Sequence, residues 1–598
     1  MTKIEGMWQE TRQAIGDGRL SIVMPVYNLA GEIVGNLAHV AALFESHGVR
    51  VQLIPVDDGS SDGTWDAIGK FIYSNEAAWK YVIATPVHLA VNGGKGGALR
   101  AGFERAEGEY VMLLDGDLDI NPKQTPRFFH ALIEANADVA IGSKRHKRSV
   151  VQYPWHRRIV SWAYFTWVRL FIGLPITDTQ TGMKLFRRRV LGDALDRMLV
   201  KTYAFDLELL SIAHSRGAKI VEAPVVIKFG SKFGALKPKT VKSMAMDTLA
   251  VFYRLKVLKY YDSVEVPPPM PRPPKVSVVV ACPGDSEMLR ECIAALEVQT
   301  YANWELIVLP DEPFDVGFDP LRITVVPTGK VRPAEKRNAG IKRSSGDIVA
   351  FIDDDAYPDA HWLEYAVKYF GDFTVGAVGG PGVTPPGDGF REKAGGRVYA
   401  NLLVSGNFRY RYVAGSVRKD VDDYPSCNLL VRKDILESIG GYRTDFWPGE
   451  DTLLCKDIVD SGKRIVYDPW VIVCHHRRAL FGPHLRQLGR YAFHRGYFCK
   501  RYPSNSLRLG YFVPTAFVAY LCVCLVSTLI MCASWVLFAP LILYVALVLV
   551  TSFSRNPLEW AWTAAGVAAT HIVYGFRFAE GLYADKAPCE FIGEDKAK

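Results

Sequence analysis

Hydrophobic residues recur along the first third of the chain in short runs that are separated by longer amphipathic stretches. The first run, Ser21–Val26, is followed by a helical pattern and then by a second run, Val51–Val56. Short apolar runs bounded by turn residues are typical of buried strands, and their alternation with helices is typical of a mostly parallel, doubly wound sheet. The pattern continues to about Ile227 and predicts an α/β domain.

The same alternation begins again after a proline-rich segment. Pro267–Pro274 is the most proline-dense part of the chain, which predicts a stiff, extended linker. Beyond it, strand-like runs at Val276–Val280 and Trp304–Leu309 flank a helical pattern at Leu289–Gln299. The two halves share this order with little identity, so we interpret them as two α/β domains that arose by divergent duplication or fusion.

A long uncharged stretch follows the second domain. Leu509–Ser554 contains 46 consecutive positions without a charged residue or histidine. Because a spanning helix needs about 20 apolar residues, the stretch predicts two spans at about 512–533 and 536–553, with a weaker third candidate at about 558–577. Basic residues precede the first span, which favours a cytoplasmic approach to the membrane.

These patterns divide the chain into six predicted segments. They are an N-terminal extension (1–19), a first α/β domain (20–240), a helix with the proline-rich linker (241–275), a second α/β domain (276–508), two or three transmembrane helices (509–580) and a polar tail (581–598).

Composition narrows the partners and the compartment. With 49% hydrophobic and 22% charged residues the chain is that of a folded protein, and its net charge of +8 is mild for 598 residues. The basic clusters lie beside apolar segments and suit anionic lipid headgroups, and no zinc spacing or nucleic-acid motif is present, so we expect no nucleic-acid partner. Ten cysteines without CxxC spacing and an N-terminus without a long apolar core predict free thiols and catalytic domains on the cytoplasmic face of a cytoplasmic membrane.

Acidic clusters follow a predicted strand in each domain. Asp115 and Asp117 come after Tyr110–Leu114, and Asp353–Asp355 come after Ile348–Ile352. Carboxylates one residue apart on a strand point the same way and are the ligands that Mg²⁺ or Mn²⁺ prefers. Ligands of such sheets bind at the carboxyl ends of the strands. The sequence therefore predicts a metal site in each domain, at Asp115 and Asp117 and at Asp353 and Asp355.

The first domain contains a series of motifs, which in chain order are Asp57-Asp58-Gly59-Ser60, Asn92–Gly97, Asp115-Gly116-Asp117, Ser143-Lys144, Asp178–Arg187 and Ser231–Gly234. Together they resemble the family-2 glycosyltransferases, and especially the dolichyl- and polyprenyl-phosphate mannose and glucose synthases. The resemblance covers about residues 20–235 and implies a GT-A-like, Rossmann-like fold, inverting hexosyl transfer, a nucleotide-sugar donor and a polyprenyl-phosphate acceptor.

The resemblance also implies residue roles in the first domain. The implied donor-binding residues are Pro25, Asp57, Asp58, Lys95 and Asp115, and the residues implied to grip the lipid phosphate are Lys144, Arg157, Ser161 and Lys232. A solvated basic face is an open alternative for the second set. The aromatic stretch Val160–Ile172 resembles a membrane-surface helix of the family, and an ordinary core helix is equally open.

The acceptor's chemistry gives a separate criterion for the first domain. A lipid phosphate has a second pKa of about 6 and is already ionised at neutral pH, so it needs positive charge around it but no general base. The first domain has many basic residues and no Gly-Glu-Asp motif. Asp206 and Glu208, on a predicted helix, are the two carboxylates that would argue otherwise, and we interpret them as supporting residues.

The second domain resembles membrane-associated family-2 transferases of bacterial polysaccharide assembly. The resemblance implies that Asp311, Lys336 and Asp353 bind the donor and that Asp451 is the general base, since a sugar hydroxyl stays protonated at neutral pH. A pair of acidic residues at a helix start is the structural alternative for Glu450 and Asp451. The motifs that carry the resemblance are Pro333–Gly340, Asp353–Asp355, Asn428–Arg432 and Gly449–Asp451.

Three further features of the second domain leave alternatives open. The family's Asp-Asp-x-Ser element is reduced to Asp311 in Pro310–Pro313. Gln487 and Arg490 match a Gln-x-x-Arg-Trp element of processive synthases, which implies acceptor binding, and a plain interfacial helix is equally open. His475 and His476 are candidates for metal or donor-phosphate ligation, or for a structural role.

The sequence therefore predicts a bifunctional, membrane-bound glycosyltransferase that uses nucleotide sugars with Mg²⁺ or Mn²⁺. One domain would transfer sugar to polyprenyl phosphate and the other to a hydroxyl of a glycan or glycolipid. Two alternatives remain. One domain is a degenerate docking module, or the second domain is a processive polysaccharide synthase.

Overall fold

The computed structural model divides the chain into two units, Met1–Val266 and Pro267–Lys598. The residues that the structure describes are 3–89, 92–151, 165–200, 204–227, 238–264, 267, 272–314, 322–414, 417–530 and 535–585. The division falls inside the proline-rich region, and each unit is described by itself below.

The first unit alternates strands and helices along most of its length. Its strands are β1 Leu20–Val26, β2 Val51–Asp57, β3 Val82–Ala84, β4 Val87–His88, β5 Tyr110–Leu114, β6 Val139–Ser143, β7 Val150–Val151, β8 Met183–Arg187, β9 Ile220–Pro224 and β10 Val226–Ile227. Its helices are α1 Lys3–Ile15, α2 Ile33–Ser46, α3 Thr64–Asn75, α4 Lys95–Glu104, α5 Thr125–Glu134, α6 (residues 165–171), α7 Arg188–Arg197, α8 Phe205–Ser215, α9 Pro238–Phe252 and α10 Tyr260–Ser263.

The main sheet of the first unit has the strand order β3-β2-β1-β5-β8-β6-β9, and β4 also pairs with β2. All these pairs are parallel except those of β8, which runs antiparallel to β5 and β6. The predicted α/β fold with a mostly parallel sheet is confirmed. The pattern of apolar runs did not predict the reversed strand, because a buried strand has the same composition in either direction.

The predicted N-terminal extension forms part of the first unit's core. Trp8 of α1 is 3% exposed and belongs to the same hydrophobic cluster as the sheet residues. Its ring stacks on His47 at 4.3 Å and meets Phe44 edge-on at 5.7 Å. The amphipathic start of the chain therefore covers the first unit as an additional helix.

The second unit repeats the alternation and ends in helices. Its strands are β11 Val276–Ala281, β12 Trp304–Leu309, β13 Ile323–Val325, β14 Ile348–Asp353, β15 Ala356–Pro358, β16 Val375–Gly379, β17 Gly382–Val383, β18 Lys419–Val421, β19 Asn428–Arg432, β20 Arg464–Tyr467 and β21 Val473–His475. Its helices are α11 Glu287–Glu297, α12 Pro333–Arg343, α13 Trp362–Val367, α14 Phe390–Tyr399, α15 Leu402–Ser405, α16 Lys433–Ile439, α17 Glu450–Asp460, α18 Gly482–Arg501, α19 Pro503–Ser506, α20 Leu509–Leu529, α21 Trp535–Thr551 and α22 Pro557–Tyr583.

The main sheet of the second unit reproduces the topology of the first. Its order is β13-β12-β11-β14-β19-β16-β20-β18, and β19 is antiparallel to β14 and β16 just as β8 is antiparallel to β5 and β6. A three-stranded sheet, β15-β21-β17, lies beside it. Because the strand order is the same, the acidic ends of β5 and β14 occupy equivalent positions in their sheets.

The C-terminal helices differ in their capacity to cross a membrane. Within the described residues, α20 is the helix that is long and apolar enough to span, since its 21 residues reach about 30 Å at about 1.5 Å per residue. The apolar helix α21 has 17 residues and is shorter than that requirement. Spans at about 536–553 and 558–577 remain predictions.

Helix α22 packs closely on the catalytic part of the second unit through small residues. A Cβ atom added at Gly581 would lie 1.9 Å from the Phe493 carbonyl oxygen of α18, and one added at Gly496 would lie 2.2 Å from the Phe578 carbonyl oxygen of α22. A Cβ added at Gly566 would lie 2.8 Å from the Val398 side chain of α14. Helix α22 therefore packs on the backbone of α18 and on a side chain of α14 at distances that larger residues would prevent.

We expect Gly581→Ala to destabilise the second unit by about 1–3 kcal/mol, the usual cost of forcing extra atoms into a packed interface. Thermal unfolding of the full chain in detergent would show this as a lower midpoint for the second unit. Gly482→Ala is the matched control, because a Cβ at Gly482 meets no atom within 4 Å. Equal midpoints for the two variants would contradict this packing.

Candidate active sites

The carboxyl end of β2 presents two buried carboxylates in the first unit. Asp57 Oδ2 lies 2.8 Å from His88 Nδ1, and that imidazole stacks on Trp65 at 4.9 Å. Asp58 Oδ1 accepts a 2.7 Å hydrogen bond from the Gly93 amide. Burial raises the pKa of Asp58 to about 6, although the Gly93 and Gly94 amides act in the opposite direction. Asp58 therefore holds the start of the glycine-rich segment at the sheet edge, while Asp57 fixes His88.

The glycine-rich segment turns directly into α4. Gly94, with φ +76°, precedes Lys95, the first residue of α4. Lys95 Nζ lies 2.5 Å from Asp115 Oδ1, and burial lowers the pKa of Lys95 less than the charges of Asp115 and Asp206 raise it. The structure thus brings together Lys95 and Asp115, two residues with implied donor roles, in one ion pair.

Three alternating carboxylates follow β5. Burial, and then the charge of Asp115, raises the pKa of Asp117. Asp119 belongs to the same group: burial and the charges of Asp117 and Asp115 raise its pKa to about 6. The charges of Asp115 and Asp117 act on Asp119, so Asp119 is a third carboxylate near the predicted metal pair. Its alternating position in Asp115–Asp119 is the sequence signal that would have predicted it.

The carboxylate at the start of α8 is paired. Asp206 Oδ1 lies 2.7 Å from Lys184 Nζ, and both side chains are nearly inaccessible. Burial raises the pKa of Asp206, while Lys184 and Lys95 lower it. Glu208 accepts hydrogen bonds from the Leu199 and Val200 amides at 2.9 and 2.6 Å. Both carboxylates have partners within the fold, and the supporting role suggested by the sequence remains a prediction.

The remaining candidates of the first unit are only partly described. The Lys144 amide donates to Asp178 Oδ2 at 3.2 Å, which ties Ser143-Lys144 to the Asp178–Arg187 segment. Pro25 lies on β1, and its carbonyl oxygen would be 3.0 Å from a Cβ at Gly116. Arg157, Ser161, Lys232 and residues 160–164 of the aromatic stretch lie outside the described residues, so their roles remain predictions.

In the second unit, Asp311 and Lys336 form an ion pair behind the sheet edge. Lys336 Nζ lies 2.5 Å from Asp311 Oδ1 and also donates to the carbonyl oxygens of Cys282 and Leu309. A lysine ammonium has three donors, and all three are engaged here by the ends of β11 and β12 and by Asp311. The predicted donor contact of Lys336 remains a prediction and requires one of these acceptors to be exchanged.

Arg337 connects the acidic end of β14 with the start of α17. Its guanidinium lies 2.9 Å from Asp353 Oδ1, 3.2 Å from Glu450 Oε1 and 3.5 Å from Asp451 Oδ1. It also lies over the ring of Tyr442 at 5.4 Å. Sequence reasoning missed this residue, although it directly follows Lys336 in the motif.

Asp451 has the environment of a proton acceptor. Its Oδ1 accepts a 2.5 Å hydrogen bond from Ser426 Oγ, and burial raises its pKa although Arg337 and Ser426 lower it. Burial, and then the charge of Asp451, raises the pKa of Glu450 to about 7. The two carboxylates thus differ: Glu450 is enclosed, whereas Asp451 lines an open cavity.

Asp353, Asp355 and His475 form a candidate metal centre. One ligand atom from each lies within 4.8 Å of the others, and His475 Nε2 is 3.2 Å from Asp355 Oδ1. Burial lowers the pKa of His475, but the Asp355 carboxylate outweighs it and raises that pKa to about 10. Two carboxylates and an imidazole fit Mn²⁺, so His475 is the stronger of the two histidine candidates. His476 instead lies between Glu291 and Asp388, at 2.8 and 2.5 Å.

A cavity of about 300 Å³ is lined by Asp355 and His475 of this centre, by Asp451, and by residues of α18, α20 and α22. Gln487 lines it, as does Tyr491, whereas Arg490 lies over the ring of Trp447 at 5.8 Å. The acceptor-binding role implied for Gln487 and Arg490 remains a prediction.

Each unit has carboxylates at the end of a strand (β5 or β14), basic residues at the start of a helix (α4 or α12) and carboxylates at the start of a second helix (α8 or α17). A comparison with known protein families matches both units. The model described as "Glycosyl transferase family 2" matches residues 21–195 and 277–440, which together make up more than half of the chain. The chain belongs to glycosyl transferase family 2. The tandem resemblance inferred from the motifs is confirmed at the level of this family.

Individual relatives are similar to part of this family-2 glycosyltransferase. A dolichyl-phosphate beta-glucosyltransferase of Saccharomyces cerevisiae is 30% identical over 220 residues, which are 34% of this chain and 66% of that protein. The polyprenol monophosphomannose synthase of Mycolicibacterium smegmatis is 30% identical over 221 residues, covering 35% of this chain and 76% of that protein. The solved mannosyltransferase PcManGT of Pyrobaculum calidifontis, in complex with GDP-Man and Mn²⁺, is 20% identical, with 58% of this chain and 98% of that chain covered and a TM-score of 0.40.

Proposed function

We propose that both units are active sugar-nucleotide transferases with acceptors of different chemistry. The first unit transfers a sugar to a polyprenyl phosphate, and the second transfers a sugar to a hydroxyl of a glycan or glycolipid, both on the cytoplasmic face of a membrane. The observation that carries this proposal is the contrast between Asp206 and Asp451, which occupy equivalent helices of the two units.

The equivalent carboxylate of the first unit is more enclosed than Asp451. The helix α8 follows β8 and α7 just as α17 follows β19 and α16. The Asp206 side chain is 9% exposed and lies 2.7 Å from Lys184, whereas the Asp451 side chain is 29% exposed, lies 3.5 Å from Arg337 and lines the cavity. An acceptor phosphate that is already ionised needs no proton acceptor. The surrounding lysines and arginines, Lys144 among them, suit such an acceptor.

The second unit has the proton acceptor that a hydroxyl requires. Asp451 lines the cavity, and its raised pKa makes it more basic than an ordinary aspartate. Arg337 holds it beside Asp353, so the base and the donor-side carboxylate share one guanidinium. The closeness of Asp451 to Asp353 supports this role, because general-base catalysis requires the attacking hydroxyl and the sugar donor at neighbouring positions.

The donor sites of both units fit a divalent cation. Asp115, Asp117 and Asp119 would hold it in the first unit, and Asp353, Asp355 and His475 in the second. When bound, Mg²⁺ or Mn²⁺ would stabilise the negative charge of the nucleoside diphosphate leaving group. Lys95 and Arg337 already contact one carboxylate of each set and supply further positive charge there.

The membrane part of the proposal predicts the effect of charges on α20. Leu525 and Val526 are exposed on this helix, and an arginine in the middle of a span costs about 2.5–3.5 kcal/mol on insertion scales. We expect the double variant Leu525→Arg, Val526→Arg to shift the chain into the fraction that alkaline carbonate extracts. Leu525→Ala, Val526→Ala is the matched control. Full membrane retention of the arginine variant would show that α20 is not the anchor.

A direct experiment tests the two activities. Membranes that contain the full chain are incubated with radiolabelled sugar nucleotides, with and without added polyprenyl phosphate, and the lipids are extracted. We expect a polyprenyl-phosphate-dependent lipid product from the first unit and a second, base-dependent glycan product from the second unit. A lack of either product with any common sugar nucleotide would make the corresponding unit a docking module.

A further inference from the structure

Two buried arginines share one carboxylate in the wall of the second unit's cavity. Asp423 Oδ2 lies 3.4 Å from the Arg411 guanidinium and 3.0 Å from that of Arg495, and the side chains are 11% and 19% exposed for the arginines and 3% for Asp423. Within the described chain no second carboxylate lies within 4.0 Å of either arginine. Buried charges are normally paired one to one, so this wall carries an excess positive charge.

Aromatic rings offset only part of that charge. The Arg495 guanidinium lies over the Tyr511 ring at 5.1 Å, and the Arg411 guanidinium lies over the Phe408 ring at 4.6 Å. Such cation–π contacts attract a guanidinium to a ring face but supply no negative charge. An anion in the cavity would complete the neutralisation.

The arginines that line the cavity contact different elements of the second unit. Arg477 contacts His475 Nδ1 at 3.1 Å and the Gly382 carbonyl oxygen, a position suited to the donor's diphosphate. Arg495 instead contacts Tyr511 in the first turn of α20, and it shares Asp423 with Arg411. The positive charge of this pair therefore lies at the end of the cavity that α20 lines.

The same end of the cavity is bounded by the apolar helix α20. Gly510, Tyr511 and Pro514 line the cavity, while Leu509 and Val513 on the same turns are 89% and 64% exposed. A molecule with its polar part in the cavity would thus have its apolar part beside the outer surface of the candidate membrane span. This combination favours a lipid-linked ligand over a soluble one.

We propose that the second unit's acceptor is a phosphate-bearing glycolipid, with its phosphate held by Arg411 and Arg495, its chain along α20 and its sugar hydroxyl at Asp451. The proposal rests on the transferase function proposed above and specifies the acceptor of that site. The lipid phosphate supplies the missing anion, and the aromatic lining of the cavity, which includes Tyr491 and Tyr574, accommodates the sugar.

The test uses a farnesyl phosphate probe with a photoreactive diazirine at the end of its chain. The purified full chain in neutral detergent is irradiated with this probe or with the matching farnesol probe, and labelled peptides are mapped by mass spectrometry. We expect labelling of α18 or α20 that is at least about tenfold weaker with the alcohol, because charge-assisted hydrogen bonds are lost. Excess inorganic phosphate tests whether the arginines bind a free anion instead of a lipid phosphate. If they do, millimolar inorganic phosphate should abolish the labelling.

Variants assign the labelling to the cavity. Arg495→Gln should reduce labelling of α18 and α20 about tenfold, and Arg495→Lys, which keeps the charge, should reduce it less. Arg397→Gln is the control, because Arg397 pairs with Glu559 outside the cavity. Labelling of the first unit gives an internal reference in every sample. If Arg495→Gln unfolds, the proposal is tested by the unmodified chain alone, from its labelling with the phosphate probe and with the alcohol probe.

Two outcomes would overturn the proposal: equal labelling by the alcohol probe, or undiminished labelling in folded Arg495→Gln. Failure of this proposal and failure of the transferase proposal give different results. If only the acceptor class is wrong, Asp451-dependent transfer to a neutral glycan persists while α18 and α20 remain unlabelled by the probe. If the transferase function is wrong, labelling persists and Asp451→Asn changes no transfer rate.

Discussion

Asp451→Asn is expected to reduce transfer by the second unit about 10²–10⁴-fold, the usual cost of losing general-base assistance. The amide keeps the size of the side chain and can still accept the Ser426 hydrogen bond, but it cannot take the hydroxyl proton. Donor binding should persist, because Asp353, Asp355 and His475 remain. The measurement is the rate of sugar transfer to a hydroxyl acceptor together with the affinity for the nucleotide sugar.

Asp460→Asn is the matched control for this variant. Asp460 lies on the same helix, α17, but pairs with Lys456 at the surface, so its rate should be unchanged. Near-normal transfer by Asp451→Asn would remove the base assignment. Loss of both transfer and donor binding would instead assign Asp451 to the structure of the donor site.

Removing one metal-site carboxylate is expected to have an effect of similar size, confined to one unit. Stabilisation of the leaving group by a cation is worth several kcal/mol, so Asp117→Asn and Asp355→Asn should each slow the corresponding unit about 10³-fold or more. The unmodified unit of each variant serves as the control for folding and for membrane insertion. Transfer rates with Mn²⁺ supplied, and Mn²⁺ binding measured by electron paramagnetic resonance, check the two parts of this expectation.

Chelation gives the complementary result. EDTA should stop both units, and added Mn²⁺ or Mg²⁺ should restore them. Full turnover in EDTA would contradict the metal-dependent account of both sites. Undiminished Mn²⁺ binding in the double variant Asp117→Asn, Asp355→Asn would show that the cation binds elsewhere.

The sequence predicted the architecture well because both domains follow a simple periodicity. Runs such as Val51–Val56 and Ile348–Ile352 are buried on both faces, and they form β2 and β14 as expected. The antiparallel direction of β8 and β19 was not predictable, since it depends on pairing with strands that are distant in the sequence. The role of the chain's first helix was also missed, because few of its side chains, Trp8 and Thr11 among them, are buried against the core.

The sequence predicted which residues belong to the candidate sites better than it predicted which of them contact one another. Asp353 and Asp355 were identified from their spacing, whereas Arg337 could not be assigned because its three acidic partners lie 16 to 114 positions away in the chain. For Lys336 the motif implied a contact with the donor, but in the structure its ammonium is surrounded by Asp311 and two carbonyl oxygens. Such partners depend on tertiary structure, which local patterns do not contain.

The measurement that tests the central proposal most directly is a crossed assay of two variants with two acceptors. Membranes carrying Asp117→Asn or Asp451→Asn are supplied with a labelled sugar nucleotide, and products on polyprenyl phosphate and on the endogenous glycolipid or glycan are quantified separately. With both acceptors present in excess, the account predicts that Asp117→Asn loses the polyprenyl-phosphate product and keeps the hydroxyl-linked product. It predicts the reverse for Asp451→Asn. Two independent transferase units would be contradicted if either variant lost both products. They would also be contradicted if both variants kept both products.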